Sequence, residues 1–132
     1  MNKILIVEDD EALATLYKAE LELKNYEVSV VSNGSLVLSE VRKLMPDLVL
    51  LDIMLPGKNG LEILQEIRAD EKLKDVKVIM LTNFGSEENV STALEFGAVD
   101  YIMKYKIVPS ELTDRVAVVL GHENNPVVKV TN

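Results

Sequence analysis

The chain has no cysteine, no tryptophan and a single histidine, His122. Without thiols there are no disulfides, thiolate metal sites or cysteine nucleophiles, and a reducing cytoplasm is the expected setting. One histidine near the end of the sequence argues against a Ser-His-Asp triad or a multi-histidine zinc site. No apolar run approaches the roughly 18 residues of a membrane helix, so no membrane association is expected. Met1-Asn2-Lys3 passes into a short apolar stretch that stops at Glu8, without the length or small-residue cleavage site of a signal peptide. Basic side chains are few: 14 Lys and Arg stand against 22 Asp and Glu, a net charge of −8. Direct nucleic-acid binding by this domain is not expected, since it needs concentrated cations to displace counterions.

What is present is a core. Hydrophobic residues make up 48% of 132, which excludes general disorder and suits one domain. Short apolar runs recur: Ile4-Leu5-Ile6-Val7, Glu27-Val28-Ser29-Val30-Val31, Leu48-Val49-Leu50-Leu51, Val78-Ile79-Met80-Leu81 and Tyr101-Ile102-Met103. Most are continuous, as in strands covered on both faces; the second alternates and reads as nearer an edge. Helical patterns lie between them. The first has Leu13, Leu16 and Leu23 as its inward residues, with Ala12 and Ala19 beside them. The second, entered through Asn33-Gly34-Ser35, carries Leu36, Val37, Val41 and Leu44. Leu61, Leu64 and Ile67 mark the third. Val90, Ala93 and Leu94 mark the fourth, with Ser86 as N-cap and Gly97 just past its end. Leu112, Val116 and Val119 mark the fifth, which starts near Pro109 and stops near Gly121.

Five successive βα units predict an α/β fold with right-handed crossovers. The unit count suits a flavodoxin-like, doubly wound, five-stranded parallel sheet of order 2-1-3-4-5 with five helices. Residues 1–121 form the expected domain. Residues 122–132, broken by Asn124-Asn125-Pro126, read as a frayed tail, or else as an added edge strand or partner contact.

In such a sheet the ligand crevice lies beyond the carboxyl ends of strands one and three. Strand one runs into Glu8-Asp9-Asp10 and strand three ends in Asp52. Clustered carboxylates repel unless a cation or proton intervenes. Mg²⁺ suits them, because it takes hard oxygen ligands and often only one or two carboxylates plus a phosphate. Glu8 and Asp10 also admit a plainer reading as loop acids or helix N-cap groups. Strand four ends in Thr82 and strand five runs into Lys104, at the same edge. Each alone is ordinary, a structural hydroxyl and a solvated cap. Together they surround one aspartate with acids, a hydroxyl and an ammonium. That set suits Asp52 as acceptor of a phosphoryl group, with Lys104 and Thr82 holding the incoming charge.

Over about residues 2–120 the chain resembles the receiver domain of two-component response regulators. The resemblance rests on Ile4-Leu5-Ile6-Val7-Glu8-Asp9-Asp10, Leu50-Leu51-Asp52-Ile53-Met54-Leu55-Pro56-Gly57-Lys58-Asn59-Gly60, Met80-Leu81-Thr82 and Gly97-Ala98-Val99-Asp100-Tyr101-Ile102-Met103-Lys104. It implies Asp52 as phosphoacceptor, Asp9 as a direct Mg²⁺ ligand, Glu8 acting through water, and the Met54 carbonyl completing the protein ligands. It implies Thr82 as switch hydroxyl, Tyr101 as switch aromatic and Lys104 as the phosphate-binding lysine. The implied donor is a histidine kinase or histidine phosphotransfer protein. The implied output face is helix four, strand five and helix five, roughly residues 86–120, with a possible phosphorylation-dependent dimer.

Two departures stand out. The family usually follows its lysine with a cis proline, where this chain has Tyr105; a cis bond before a non-proline costs about 2.5–4 kcal/mol, so the path there is left open. The family also usually has a small residue after its switch threonine, where this chain has Asn83 and then Phe84. Met54 and Phe84 at the rim cannot orient an attacking water, so a long-lived phosphoaspartate with weak autophosphatase activity is expected, and no other enzymatic activity.

Rival readings fare worse. A flavodoxin-like redox protein would not place Glu8-Asp9-Asp10 against a flavin phosphate. A phosphatase of the haloacid dehalogenase type would want an aspartate at Met54. A pseudo-receiver, binding partners without phosphorylation, is the main alternative, yet both Asp52 and Lys104 are present. The sequence stops soon after residue 121, so output is expected through a downstream protein partner or through an effector domain missing from this sequence.

Overall fold

The apolar runs become strands because helices cover both of their faces. The computed structural model describes residues 2–83 and 87–122. Its strands are β1 (Lys3–Val7), β2 (Glu27–Val31), β3 (Leu48–Asp52), β4 (Lys77–Thr82) and β5 (Asp100–Met103), all parallel in the order β2-β1-β3-β4-β5. The helices are α1 (Glu11–Glu22), α2 (Val37–Leu44), α3 (Gly60–Ala69), α4 (Glu87–Glu95) and α5 (Pro109–Val119). The five-stranded, five-helix expectation is met. None of the described helices is long and apolar enough to cross a membrane.

Successive strand side chains point to opposite faces, so the sheet divides its residues between two cores. Leu5, Val7, Val49, Leu51, Val78 and Met80 pack under α2, α3 and α4 with Val41, Ile63, Leu64 and Ile67. Ile4, Ile6, Leu48, Leu50, Ile79, Leu81 and Ile102 pack under α1 and α5 with Leu13, Tyr17, Leu21, Leu112 and Val116. Each fully buried side chain of this size stabilises by about 1.5–3 kcal/mol. The register sets the functional edge: Val7 lies opposite Leu51, Asp52 opposite Leu81, and Thr82 opposite Met103. The carboxyl ends of the four strands are therefore nearly flush.

Local signals set the helix ends. The Asp10 side chain caps α1 by accepting from Leu13 N–H, so the plainer reading of Asp10 holds. Asn59 caps α3, and Pro109 opens α5. Gly97 sits past α4 at φ +102°, as expected of a helix stop. Ser86, the expected cap of α4, lies outside the described residues. Met45 ends α2 at φ 48°, a left-handed residue with no glycine to signal it.

The inward face of α1 differs from the expectation. Leu16 and Leu23 are 49% and 75% exposed, and the buried stripe is Leu13, Ala14, Tyr17 and Leu21. Both stripes obey helical spacing, about 100° apart. The amphipathic Tyr17 turns its ring inward, and the apolar Leu16 takes the solvent side. Likewise Leu36 sits in a short 3₁₀ turn before α2 and is 56% exposed. At the chain's end, the His122 N–H bonds the Ala117 carbonyl at 2.7 Å and its ring stacks on Tyr26. The rest of the expected tail, residues 123–132, lies outside the described residues.

Gly60 opens α3 directly behind the end of β3. Its N–H bonds the Ile53 carbonyl at 2.8 Å, and a Cβ there would run into the Asp52 carbonyl. Gly60→Ala is therefore expected to destabilise by about 1–3 kcal/mol, as overpacking does. An unchanged urea midpoint would refute this close approach.

Candidate functional site

Four strand ends deliver the site. Asp52 closes β3 and Thr82 closes β4; Glu8 follows β1 and Lys104 follows β5. All four are buried, while Asp9 is exposed beside them. Burying ions is costly unless they are paired. Lys104 Nζ lies 2.9 Å from Asp52 Oδ2 and 2.9 Å from Glu8 Oε1, so one ammonium serves two acids. The second oxygen of Asp52 accepts from Met54 N–H at 3.1 Å. Glu8 Oε2 accepts from Asp10 N–H at 3.0 Å and from Lys104 at 3.2 Å.

Glu8 Oε1 is close to the ammonium but out of hydrogen-bond alignment, and it has no hydrogen-bond partner. Carboxylate oxygens of Glu8, Asp9 and Asp52 come within 4.8 Å of one another. Three hard oxygen donors, one with unused lone pairs, and one compensating lysine leave net negative charge. This donor set fits a hard divalent cation such as Mg²⁺.

Burial pushes the Glu8 carboxyl up to about 7, against the lowering effect of the Asp10 N–H and Lys104. Burial alone would lower Lys104, but hydrogen bonds to Asp52 and Glu8 outweigh it and raise its pKa. The lysine therefore stays charged throughout the physiological range.

Thr82 donates to the Asn83 carbonyl at 3.2 Å, so its hydroxyl is turned along its own chain. Thr82 and Tyr101 line one cleft of about 430 Å³ between the sheet and α4, with Val90, Leu94 and Met103. Tyr101 is 38% exposed, and the Arg115 guanidinium lies 5.9 Å from its ring centre. Glu8, Asp9, Asp52, Met54, Thr82 and Lys104 thus gather at this edge, with Tyr101 across the cleft; Phe84, singled out at the rim, lies outside the described residues.

Sequence reasoning missed one participant. The Tyr105 hydroxyl donates to Asp10 Oδ2 at 2.6 Å, and its ring centre lies 5.8 Å from Lys104 Nζ. Tyr105 adopts φ +67°, and every described peptide bond is trans. The missing proline after Lys104 was the available signal; the contact with Asp10 had none.

A family model for the response regulator receiver domain matches residues 4–117. The chain belongs to that family. It is 43% identical over 114 residues to the DNA-binding response regulator MtrA of Mycobacterium tuberculosis, covering 86% of this chain and 48% of that one. It is 39% identical over 117 residues to the phosphate regulon transcriptional regulatory protein PhoB of Pseudomonas aeruginosa, covering 89% of this chain and 51% of PhoB. The chain thus spans about half the length of the curated relatives it matches. Among solved structures, the BeF₃-activated N-terminal receiver domain of Klebsiella pneumoniae RstA superposes with a TM-score of 0.83 at 38% identity, covering 90% of this chain and 98% of that one. The receiver domain of the Pseudomonas aeruginosa sensor histidine kinase PA1611, solved with magnesium in its active-site cleft, superposes at 0.82 with 29% identity, covering 91% and 98%. The receiver fold and its place in two-component signalling are therefore established for this chain.

The buried acid of this receiver has a stability signature. A folded-state pKa above the unfolded value means that the folded chain holds a proton more tightly. The Glu8 contribution is thus complete below about 4.5 and is lost as pH rises through about 7. The cation-free receiver is expected to lose melting temperature across that window, with Glu8→Gln flattening the slope. Parallel slopes for the two proteins would contradict the raised pKa.

Proposed function

We propose that Asp52 takes a phosphoryl group from a phosphohistidine on a histidine kinase or histidine phosphotransfer protein in the cytoplasm. The observation that carries this is the buried Asp52 carboxylate, oriented through both oxygens by Lys104 and the Met54 N–H. An Asp52 oxygen attacks phosphorus; a P–O bond forms, the P–N bond breaks, and the imidazole leaves. Glu8, Asp9, Asp52 and the Met54 carbonyl would hold Mg²⁺, which when bound supplies positive charge for the phosphoryl oxygens. Lys104 exchanges its bond to Asp52 for one to a phosphoryl oxygen, so little new ordering is required of it.

Thr82 carries the consequence outward. Its hydroxyl leaves the Asn83 carbonyl for the phosphoryl group, and Tyr101 follows into the shared cleft. This is a shift between two packings, driven by the differential affinity of phosphate for one of them. The face that changes comprises α4, β5 and α5. It would engage a downstream protein, a second copy of the domain or an effector domain, rather than nucleic acid directly.

Asp52→Ala is expected to abolish labelling by acetyl phosphate, and excess EDTA to abolish labelling of the unaltered protein. Labelling that survives either treatment overturns the acceptor or the cation assignment, respectively. An unaltered protein that takes no label is instead a pseudo-receiver. Beryllofluoride is expected to move amide resonances around Tyr101 as well as around Asp52; changes confined to Asp52 would sink the coupling.

Decay of the phosphoaspartate needs an in-line water. Met54, 62% exposed at the rim, is apolar and can neither orient nor activate one. Phe84, the second rim residue by sequence, lies outside the described residues. Met54→Asn with Phe84→Glu is expected to speed decay about tenfold or more, or roughly 1.4 kcal/mol off the barrier. Equal decay rates after donor removal, or a slower variant, would refute the role of the rim.

A further inference from the structure

Tyr105 is a tyrosine in the left-handed region, at φ +67°. For a bulky L-residue that conformation is uncommon and strained. Such strain persists only where surrounding contacts over-determine it. Two contacts converge here. The phenol donates to Asp10 Oδ2 at 2.6 Å. The ring lies near the Lys104 ammonium at 5.8 Å, within cation–π range.

These contacts close a ring. Lys104 is bonded to Glu8, and Glu8 Oε2 accepts from the Asp10 N–H. Asp10 Oδ2 accepts from Tyr105, which is joined to Lys104 by the peptide bond. Asp10 Oδ1 meanwhile caps α1 through Leu13 N–H at 3.1 Å. Asp9, the exposed acid of the cluster, lies between two pinned neighbours: Glu8 held by Lys104 and Asp10 held by Tyr105.

We propose that Tyr105 is a positioning residue that latches the loop after β5 onto the loop after β1, holding Asp9 and Lys104 ready for the cation and the phosphoryl group. Tyr105 touches neither reactant. It acts by keeping two loops, 95 residues apart in sequence, from separating. The proposal rests on the phosphoacceptor reading above, and it makes the departure from proline after Lys104 a functional one.

The test measures Mg²⁺ and beryllofluoride binding by calorimetry, with no phosphotransfer required. It compares the unaltered protein, Tyr105→Phe, Asp10→Asn and the double variant. Tyr105→Phe keeps the ring and loses the donor; Asp10→Asn keeps the helix cap and weakens the acceptor. Tyr105→Phe is expected to weaken Mg²⁺ binding about threefold to tenfold and to speed amide exchange at residues 8–10. The double variant is expected to be no weaker than the worse single one, since both break the same bond. Unchanged Mg²⁺ affinity in Tyr105→Phe, or additive losses in the double variant, overturns the latch alone. If the unaltered protein binds neither Mg²⁺ nor beryllofluoride, the phosphoacceptor reading fails and the latch with it. Affinity losses that merely track a lower urea midpoint would make Tyr105 a general stabiliser and likewise overturn the proposal.

Discussion

One buried ammonium holds this site together. Lys104 reaches into the crevice between β1 and β3, and two buried acids depend on it. Remove its charge and Glu8 and Asp52 become an unpaired anionic pair in a low-dielectric setting, a loss of about 3–5 kcal/mol for a buried pair of this kind. The lysine can be there only because β5 pairs with β4 and ends flush with it. The acids can be there only because β1 and β3 are neighbours. Sheet order and site chemistry are thus one constraint seen at two scales.

The compensation is deliberately incomplete. One positive charge faces Glu8, Asp9 and Asp52, and Glu8 Oε1 keeps unused lone pairs. A fully neutralised cluster would be more stable, but it would have nothing left with which to attract a cation. The two apolar cores carry the fold, so the edge of the sheet can carry charge that does not help folding. Functional sites commonly hold such locally unfavourable arrangements, supported by the structure around them.

The sheet was legible in the sequence because both of its faces are covered. Continuous runs such as Leu48-Val49-Leu50-Leu51 have few other stable fates in a chain of this length. The placement of the candidate site was legible for a related reason: Glu8, Asp52, Thr82 and Lys104 each stand where an apolar run stops, so strand order alone brings them together. Direction around a helix was less legible. Leu16 and Tyr17 are adjacent, and spacing permits either to face inward. The choice belongs to packing against β2, β1 and α5, which no local pattern records. Met45 and Tyr105 were illegible for another reason, since left-handed residues usually announce themselves as glycine.

The departure at Tyr105 shows how a site of this kind can be reached by a different local path. A cis proline would set the chain direction after the lysine by covalent geometry. Here a trans bond is followed by a left-handed tyrosine. Direction is then set by contacts, with Asp10 at one end of the side chain and Lys104 beneath the ring. Covalent restraint is indifferent to what the neighbouring loop does, whereas a hydrogen-bonded restraint is shared with it. The loop bearing Glu8 and Asp9 and the loop bearing Lys104 therefore cannot move independently without breaking a short, charge-assisted bond. Any packing change that displaces Lys104 is felt at Asp10, and through its cap at the first turn of α1.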